Sequence, residues 1–133
     1  MKNLVWDDSL SVEVDEIDED HRRLVDLFNL LNQSVEEGDD ADYIEALLEE
    51  LISCTIWHFR HEERLMLKYK YDGFAVHKAE HRDLIDSAKA LQEKFLDENK
   101  ELTNDAIEFL ANWLTEHILG QDMRLGFYLM REM

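Results

Sequence analysis

His58 and Glu62 lie four positions apart in a stretch whose apolar residues have helical spacing. On a helix, side chains four apart project from one face about one turn apart. The core-facing positions of this helix are Ile44, Leu48, Leu51, Thr55, His58, Glu62, Leu65 and Tyr69. Their alternating spacing of four and three is typical of a bundle helix. A buried carboxylate without a partner costs roughly several kcal/mol, so Glu62 requires a metal ion or a buried cation beside it. The other predicted helices offer no lysine or arginine at comparable depth, which favours the metal ion.

Histidine stands where leucine would be expected in every predicted helix. His77 and His81 are four apart and therefore share one helix face. His117 and Asp122 are five apart, which an ideal helix places about 140° out of line. A bulge or break at Gly120 would correct this misalignment. Neutral imidazole and carboxylate groups are ligands that suit iron, zinc or manganese.

Four helices position these side chains, and their start and stop signals are Asp and Thr caps, glycines and charged stretches. The predicted helices run from about Asp18 to Gly38, from Asp40 to Tyr69, from Phe74 to Asp97 and from Thr103 to Gly120. Asp18 is the expected N-cap of the first helix. Residues 123–131 are expected to form a short extra C-terminal helix, and residues 1–17 an irregular N-terminal arm with Trp6 buried at one end of the bundle.

Short connections between four helices predict an all-α, up-down-up-down four-helix bundle, formed by a single domain over residues 1–133. His21 and His77 lie near the starts of the first and third helices, whereas His58 and His117 lie in the later parts of the second and fourth. In this topology, those four places fall at the same end of the bundle. The topology alone therefore predicts one polar cluster inside it.

The composition restricts the partners and the compartment. The net charge of −18 argues against nucleic acid and anionic membrane surfaces as partners, since those need basic patches. The single cysteine, Cys54, excludes an internal disulfide. The sequence contains no apolar run long enough to span a membrane and no basic-then-apolar leader. We therefore expect a cytoplasmic protein, and we expect a monomer.

The number of candidate ligands exceeds what one tetrahedral zinc ion needs. Five histidines and two carboxylates fit two octahedral ions that share bridging carboxylates and keep one position free. A histidine-rich, carboxylate-poor site carries little anionic charge, which favours reversible binding over oxidation of a substrate. The sixth histidine, His61, has Leu65 as its i+4 partner, and we expect it on a solvated face.

The chain resembles the bacterial hemerythrins over its whole length. The motifs that carry the resemblance are His58-Phe59-Arg60-His61-Glu62-Glu63 (HFxxEE), His77-Lys78-Ala79-Glu80-His81 (HxxxH) and His117-Ile118-Leu119-Gly120-Gln121-Asp122 (HxxxxD). The segment Ile17-Asp18-Glu19-Asp20-His21 is similar to the family's first-ligand segment, although glutamine is commoner than aspartate just before that histidine.

The resemblance implies a non-haem di-iron site, with two iron ions linked by an oxo or hydroxo group, that binds dioxygen reversibly. The implied metal ligands are His77, His81 and His117 for one iron, His21 and His58 for the iron with the open position, and Glu62 and Asp122 as bridges. The residues that match the family's apolar ligand pocket are Phe59, Trp113, Leu114 and Ile118.

These features predict a dioxygen-binding protein for oxygen transport, storage or delivery to another protein, and not an enzyme. No Ser/His/Asp or Cys/His arrangement and no phosphate loop is present. The first alternative is a di-iron oxidase or peroxidase, or an iron-donating repair protein. The second is an oxygen or iron sensor module, which is less favoured because sensors usually carry an appended output domain.

Overall fold

A computed structural model describes residues 3–133, so the first two positions of the predicted arm lie outside the described residues. The helices are α1 (Asp15–Glu36), α2 (Ala41–Lys68), α3 (Phe74–Asp97), α4 (Asn104–His117) and α5 (Met123–Glu132). A short 3-10 helix, Asp8–Leu10, precedes α1, and a π-helical turn, Ile118–Asp122, joins α4 to α5.

The four long helices form the predicted up-down-up-down bundle. Helix α1 packs against α2 and α4, and α3 also packs against α2 and α4, so the four helices close into a ring around one core. Thr103 caps α4 as predicted, because its hydroxyl accepts a hydrogen bond from the Ala106 amide. Gly38 follows the end of α1 in the left-handed region, with φ of 70°.

The helical periodicity correctly identified the apolar core. Every predicted core-facing position of α2 is buried except Tyr69, which is half-buried. The large side chains that are almost completely buried come from all the helices and from the π-helical turn: Ile17, Leu24, Phe28, Leu31, Leu48, Leu51, Met66, Phe95, Ile107, Leu110, Ile118 and Leu125. The polar cluster lies at one end of this apolar core.

The first helix begins earlier than predicted, and Asp18 is therefore not its N-cap. Helix α1 starts at Asp15, which places Asp18 inside its first turn. The buried carboxylate of Asp18 accepts hydrogen bonds from the Val12 amide at 2.8 Å and the Ser11 hydroxyl at 2.6 Å. Asp18 therefore fastens the N-terminal arm to the helix, a role that helical spacing alone does not indicate.

The N-terminal arm lies across the bundle and contacts α1 and α5. The backbone of Leu4 exchanges two hydrogen bonds with the Asn29 side chain, at 2.7 and 2.8 Å. Gly126 of α5 lies so close to the arm that an added Cβ atom would be 2.2 Å from the Val12 carbonyl oxygen. Trp6 is half-buried and not buried as predicted, with the Arg22 guanidinium 5.1 Å from its ring centre.

The short extra helix expected over residues 123–131 is α5, which extends one residue further. Its inner face is apolar and includes the fully buried Leu125 and Leu129. Within the described residues, no helix is both long enough and apolar enough to cross a membrane.

Candidate metal centre

Seven polar side chains meet at one end of the bundle core. All are buried, with relative exposures between 0% and 5%: His21, His58, Glu62, His77, His81, His117 and Asp122. They come from α1, α2, α3, α4 and the π-helical turn. The structure therefore brings together all the candidate ligands that the sequence predicts, in the single cluster that the topology requires.

The π-helical turn solves the spacing problem between His117 and Asp122. A π-turn has a wider i→i+5 hydrogen-bond pattern than an α-helix, so residues five apart project toward the same side. The Asp122 Oδ1 atom lies 3.0 Å from His117 Nε2. The irregularity that the sequence indicated near Gly120 is this turn, and it directs a carboxylate into the core that a regular helix would direct away.

Glu62 lies between two groups of histidines. Its Oε1 atom faces the ring Nε2 atoms of His77, His81 and His117, at 3.4, 3.0 and 4.0 Å. Its Oε2 atom faces the Nε2 atoms of the other two histidines, His21 at 3.5 Å and His58 at 3.1 Å. One carboxylate thus presents one oxygen to a three-histidine group and the other oxygen to a two-histidine group.

Asp122 divides its oxygens between the same two groups. Its Oδ1 atom lies 2.9 Å from His77 Nε2 and 3.0 Å from His117 Nε2, in the three-histidine group. Its Oδ2 atom lies 2.9 Å from His21 Nε2, in the two-histidine group. Within each group, one ligand atom from every residue lies within 4.8 Å of the others, and both groups include the two carboxylates. This geometry suits a pair of ions with shared carboxylates.

Most of these inward-facing atoms lack hydrogen bonds among the described residues. The Nε2 atoms of His21, His58, His77 and His117 and both Asp122 oxygens are buried with no hydrogen-bond partner. Nitrogen and oxygen atoms lie close together, yet their directions do not suit N–H···O bonds. Orphaned buried polar groups of this kind are costly unless something satisfies them. No lysine or arginine within residues 3–133 forms an ion pair with either carboxylate. The donor set therefore fits metal ions.

Without an ion, protons compensate the two buried carboxylates. Burial lowers the pKa of His58, but the charge of Glu62 and the hydrogen bond to Asp20 outweigh it and raise that pKa to about 10. Burial also opposes the charging of His77, whose facing carboxylates, Asp122 foremost, raise its pKa to about 9. Burial raises the pKa of Glu62, but the surrounding histidines, His58 foremost, hold it well below its ordinary value. Metal binding must therefore displace protons from the imidazoles.

Three carboxylates outside the cluster orient the histidines. The pairs are His58 Nδ1 with Asp20 Oδ2 at 2.9 Å, His81 Nδ1 with Glu63 Oε2 at 2.9 Å, and His117 Nδ1 with Glu80 Oε1 at 2.8 Å. Because a carboxylate only accepts hydrogen bonds, each Nδ1 donates, and Nε2 is left as the nitrogen that faces the cluster and can bind a metal ion once its proton is displaced. Sequence reasoning missed these acids, although Asp20, Glu63 and Glu80 each adjoin a candidate ligand in the chain.

The expectation that His61 lies on a solvated face is wrong. Its side chain is only 15% exposed, and both ring nitrogens face carboxylates. The Nδ1 atom lies 2.6 Å from Asp20 Oδ2, and the Nε2 atom lies 2.9 Å from Glu16 Oε1. The i+4 rule considers only neighbours on the same helix, whereas both partners of His61 lie on α1.

A small cavity of about 10 Å³ adjoins the two-histidine group. The lining residues are His21, Leu24, His58, Phe59, Trp113, Leu114, His117, Ile118 and Asp122. All four predicted pocket residues are among them. Leu24 was missed, although its core-facing position three residues after His21 could have indicated it. This volume is near the minimum that one water molecule needs. A wider groove of about 430 Å³ between α3 and α4 contains none of the seven candidate ligands.

Comparison with known proteins agrees with this arrangement. The sequence model of the Hemerythrin HHE cation binding domain matches residues 12–126. A bacteriohemerythrin from Methylococcus capsulatus is 35% identical over 109 residues, which are 82% of this chain and 82% of that protein. A myohemerythrin from Riftia pachyptila is 32% identical over 120 residues, covering 90% of this chain and 88% of that protein. A crystal structure of wild-type hemerythrin has a TM-score of 0.87 at 32% identity, and covers 95% of this chain and 97% of that one.

Proposed function

Because the chain belongs to the hemerythrin family, we propose that it binds dioxygen reversibly at two non-haem iron ions, for transport, storage or delivery of the gas. The observation that carries this proposal is the division of the carboxylate oxygens. Glu62 and Asp122 each direct one oxygen to the three-histidine group and one to the two-histidine group. A single ion would not need two carboxylates that each direct their two oxygens to different histidine groups.

The proposed ligands follow from this division. His77, His81 and His117 would hold one iron ion, and His21 and His58 would hold the other, with Glu62 and Asp122 as ligands shared by both. The second ion would have one protein nitrogen fewer, and the small cavity lies beside its two histidines. Two ferrous ions, when bound, would supply the electrons and the open coordination position that dioxygen requires.

The protein's own contribution is to hold the ligands and to keep water away. Leu24, Phe59 and Ile118 are buried and surround the cavity with apolar atoms. The Phe59 ring stacks on the His81 ring, with centroids 3.8 Å apart, which restricts the rotation of that imidazole. Such surroundings disfavour the entry of water and the release of charged oxygen species.

The cavity beside the two-histidine group suits a very small ligand, because its volume of about 10 Å³ is close to what one water molecule needs. We propose a carrier and not an enzyme, in line with the hemerythrins to which the chain is similar. The net charge of −18 opposes contact with nucleic acids and anionic membranes. We further propose that the whole chain is one hemerythrin domain, that it is monomeric, and that it acts in the cytoplasm.

Metal analysis and oxygen cycling test this function. Purified protein should contain about two iron ions per chain, and the reduced protein should gain a visible absorption band in air that argon removes over repeated cycles. Rapid decay of the oxygenated form with consumption of peroxide or a substrate would instead favour the oxidase or peroxidase alternative. Asp122→Asn should abolish the cycling, whereas Glu116→Gln, at an exposed neighbouring position, should preserve it. One metal ion per chain, or none, would refute the proposal.

A further inference from the structure

A chain of polar contacts connects the two-histidine group to the protein surface. It runs from His58 Nδ1 to Asp20 Oδ2 at 2.9 Å, from that oxygen to His61 Nδ1 at 2.6 Å, and from His61 Nε2 to Glu16 Oε1 at 2.9 Å. Side-chain exposure increases outward, from 1% at His58 through 9% and 15% to 46% at Glu16. The contacts therefore cross the boundary between the core and the solvent.

The geometry favours hydrogen bonding over a further metal site at these residues. Asp20, His58 and His61 are close enough to share an ion. However, both Nδ1 atoms lie within hydrogen-bond distance of the same Asp20 oxygen, which accepts from both rings at once. The Nε2 atom of His61 points instead to Glu16, so its ring is held at both nitrogens.

The acids that contact the three-histidine group differ from Asp20, because each of them contacts one histidine and not two. Glu63 and Glu80 contact His81 and His117, and within the described part of the chain neither has a second histidine partner. They are also more exposed, at 19% and 35%. The acid that supports the two-histidine group is therefore the most buried of the three and the only one of them held by two imidazoles.

From this difference we infer that His61 is a positioning residue, which fixes the Asp20 carboxylate so that Asp20 in turn fixes the His58 ring and its Nδ1–H tautomer. The inference rests on the proposed function. A carboxylate hydrogen-bonded to a ligating histidine orients the ring and increases its basicity. Because the two-histidine group offers one nitrogen fewer, each of its imidazoles matters more to the ion that it holds. His61 and Glu16 thus strengthen that group from outside.

Release of ferrous iron to a chelator under anaerobic conditions tests this role. We expect two phases, one for each ion. Asp20→Ala should accelerate the phase of the two-histidine group by about 10- to 100-fold, the usual effect of losing such a partner. His61→Ala should accelerate the same phase by about twofold to tenfold, the range of one net hydrogen bond. Glu63→Gln should affect the other phase, and Arg60→Ala, on the exposed face beside His61, should affect neither.

A conservative variant separates positioning from general destabilisation. In His61→Asn, the amide nitrogen takes about the place of the ring Nδ1 and can still donate to Asp20, so the release rate should return toward that of the wild type. In the zinc-loaded protein, the His58 Nδ1–H resonance should exchange faster with water in His61→Ala and be protected again in His61→Asn. Unchanged release and exchange in His61→Ala, or no rescue by asparagine, would overturn the inference. A wild-type chain that binds no iron would instead refute the proposed function itself.

Discussion

Replacing Glu62 with glutamine is the most direct perturbation of the proposed centre. Glutamine keeps the shape of the side chain but removes its charge, and it replaces one ligating oxygen with an amide NH₂ group that cannot bind a metal. The side chain is completely buried and faces histidines from both groups. The substitution therefore acts on both ions at once without altering the surface.

The remaining donors give the expected size of the effect. After the substitution, the three-histidine group retains three imidazoles and Asp122 Oδ1, whereas the two-histidine group retains two imidazoles and Asp122 Oδ2. We therefore expect iron content to fall from about two ions per chain to about one, with affinity at the two-histidine group more than about 100-fold weaker. An ion present at 100 times its Kd stabilises the fold by about 2.7 kcal/mol. Loss of the ion bound by the two-histidine group should therefore lower Tm by about 10 °C.

Iron analysis after desalting and differential scanning calorimetry measure these effects together. Glu49→Gln is the matched control, because Glu49 is an exposed acid on the same helix and is not one of the candidate ligands. It should retain two ions and lose little in Tm. Glu62→Gln protein that keeps two iron ions would refute the bridging role of Glu62. Equal loss of both ions would refute the division of the ligands into two unequal groups.

Three further predictions concern packing, pH and the cavity. Gly126→Ala should destabilise the protein by about 1–3 kcal/mol in urea unfolding, because its Cβ would lie 2.2 Å from the Val12 carbonyl oxygen. Gly120→Ala, with nothing within 4 Å of its Cβ, should change stability by less than about 1 kcal/mol. In metal-free protein, the free energy of unfolding should fall as pH rises from about 6.5 to about 10. The reason is that His58 in the folded protein keeps a proton that the unfolded chain releases at lower pH. Urea titrations in the presence of chelator at several pH values test this, and a constant or rising stability would contradict it. Leu24→Ala should lower the free energy of unfolding by about 2–5 kcal/mol, because it leaves a larger hole in the core. It should also accelerate the decay of the oxygenated form, because the enlarged cavity admits water. An unchanged decay rate in air would contradict the role given to the cavity.

Chain order and helical periodicity were sufficient for the bundle and for the meeting of the candidate ligands. A core-facing position is defined by its spacing along one helix, so the burial of His21, His58 and His77 could be read from the sequence. An up-down-up-down order then places these positions at one end, whatever the detailed packing. The wider spacing of His117 and Asp122 indicated an irregular turn, and the π-helical turn accounts for it.

Contacts between different helices were decided only by the tertiary structure. Spacing along one helix does not state which carboxylate oxygen of Glu62 faces which imidazole, because that depends on rotamers and on the packing of neighbouring helices. For the same reason, the sequence predicted a solvated His61, whereas His61 pairs with acids of α1. The capping role predicted for Asp18 was wrong because the arm folds back on the start of α1, and helical spacing does not show such a turn. The sequence thus determined which side chains enter the core. The packing of one helix on another determined how their atoms pair, because partners distant in the chain leave no local pattern.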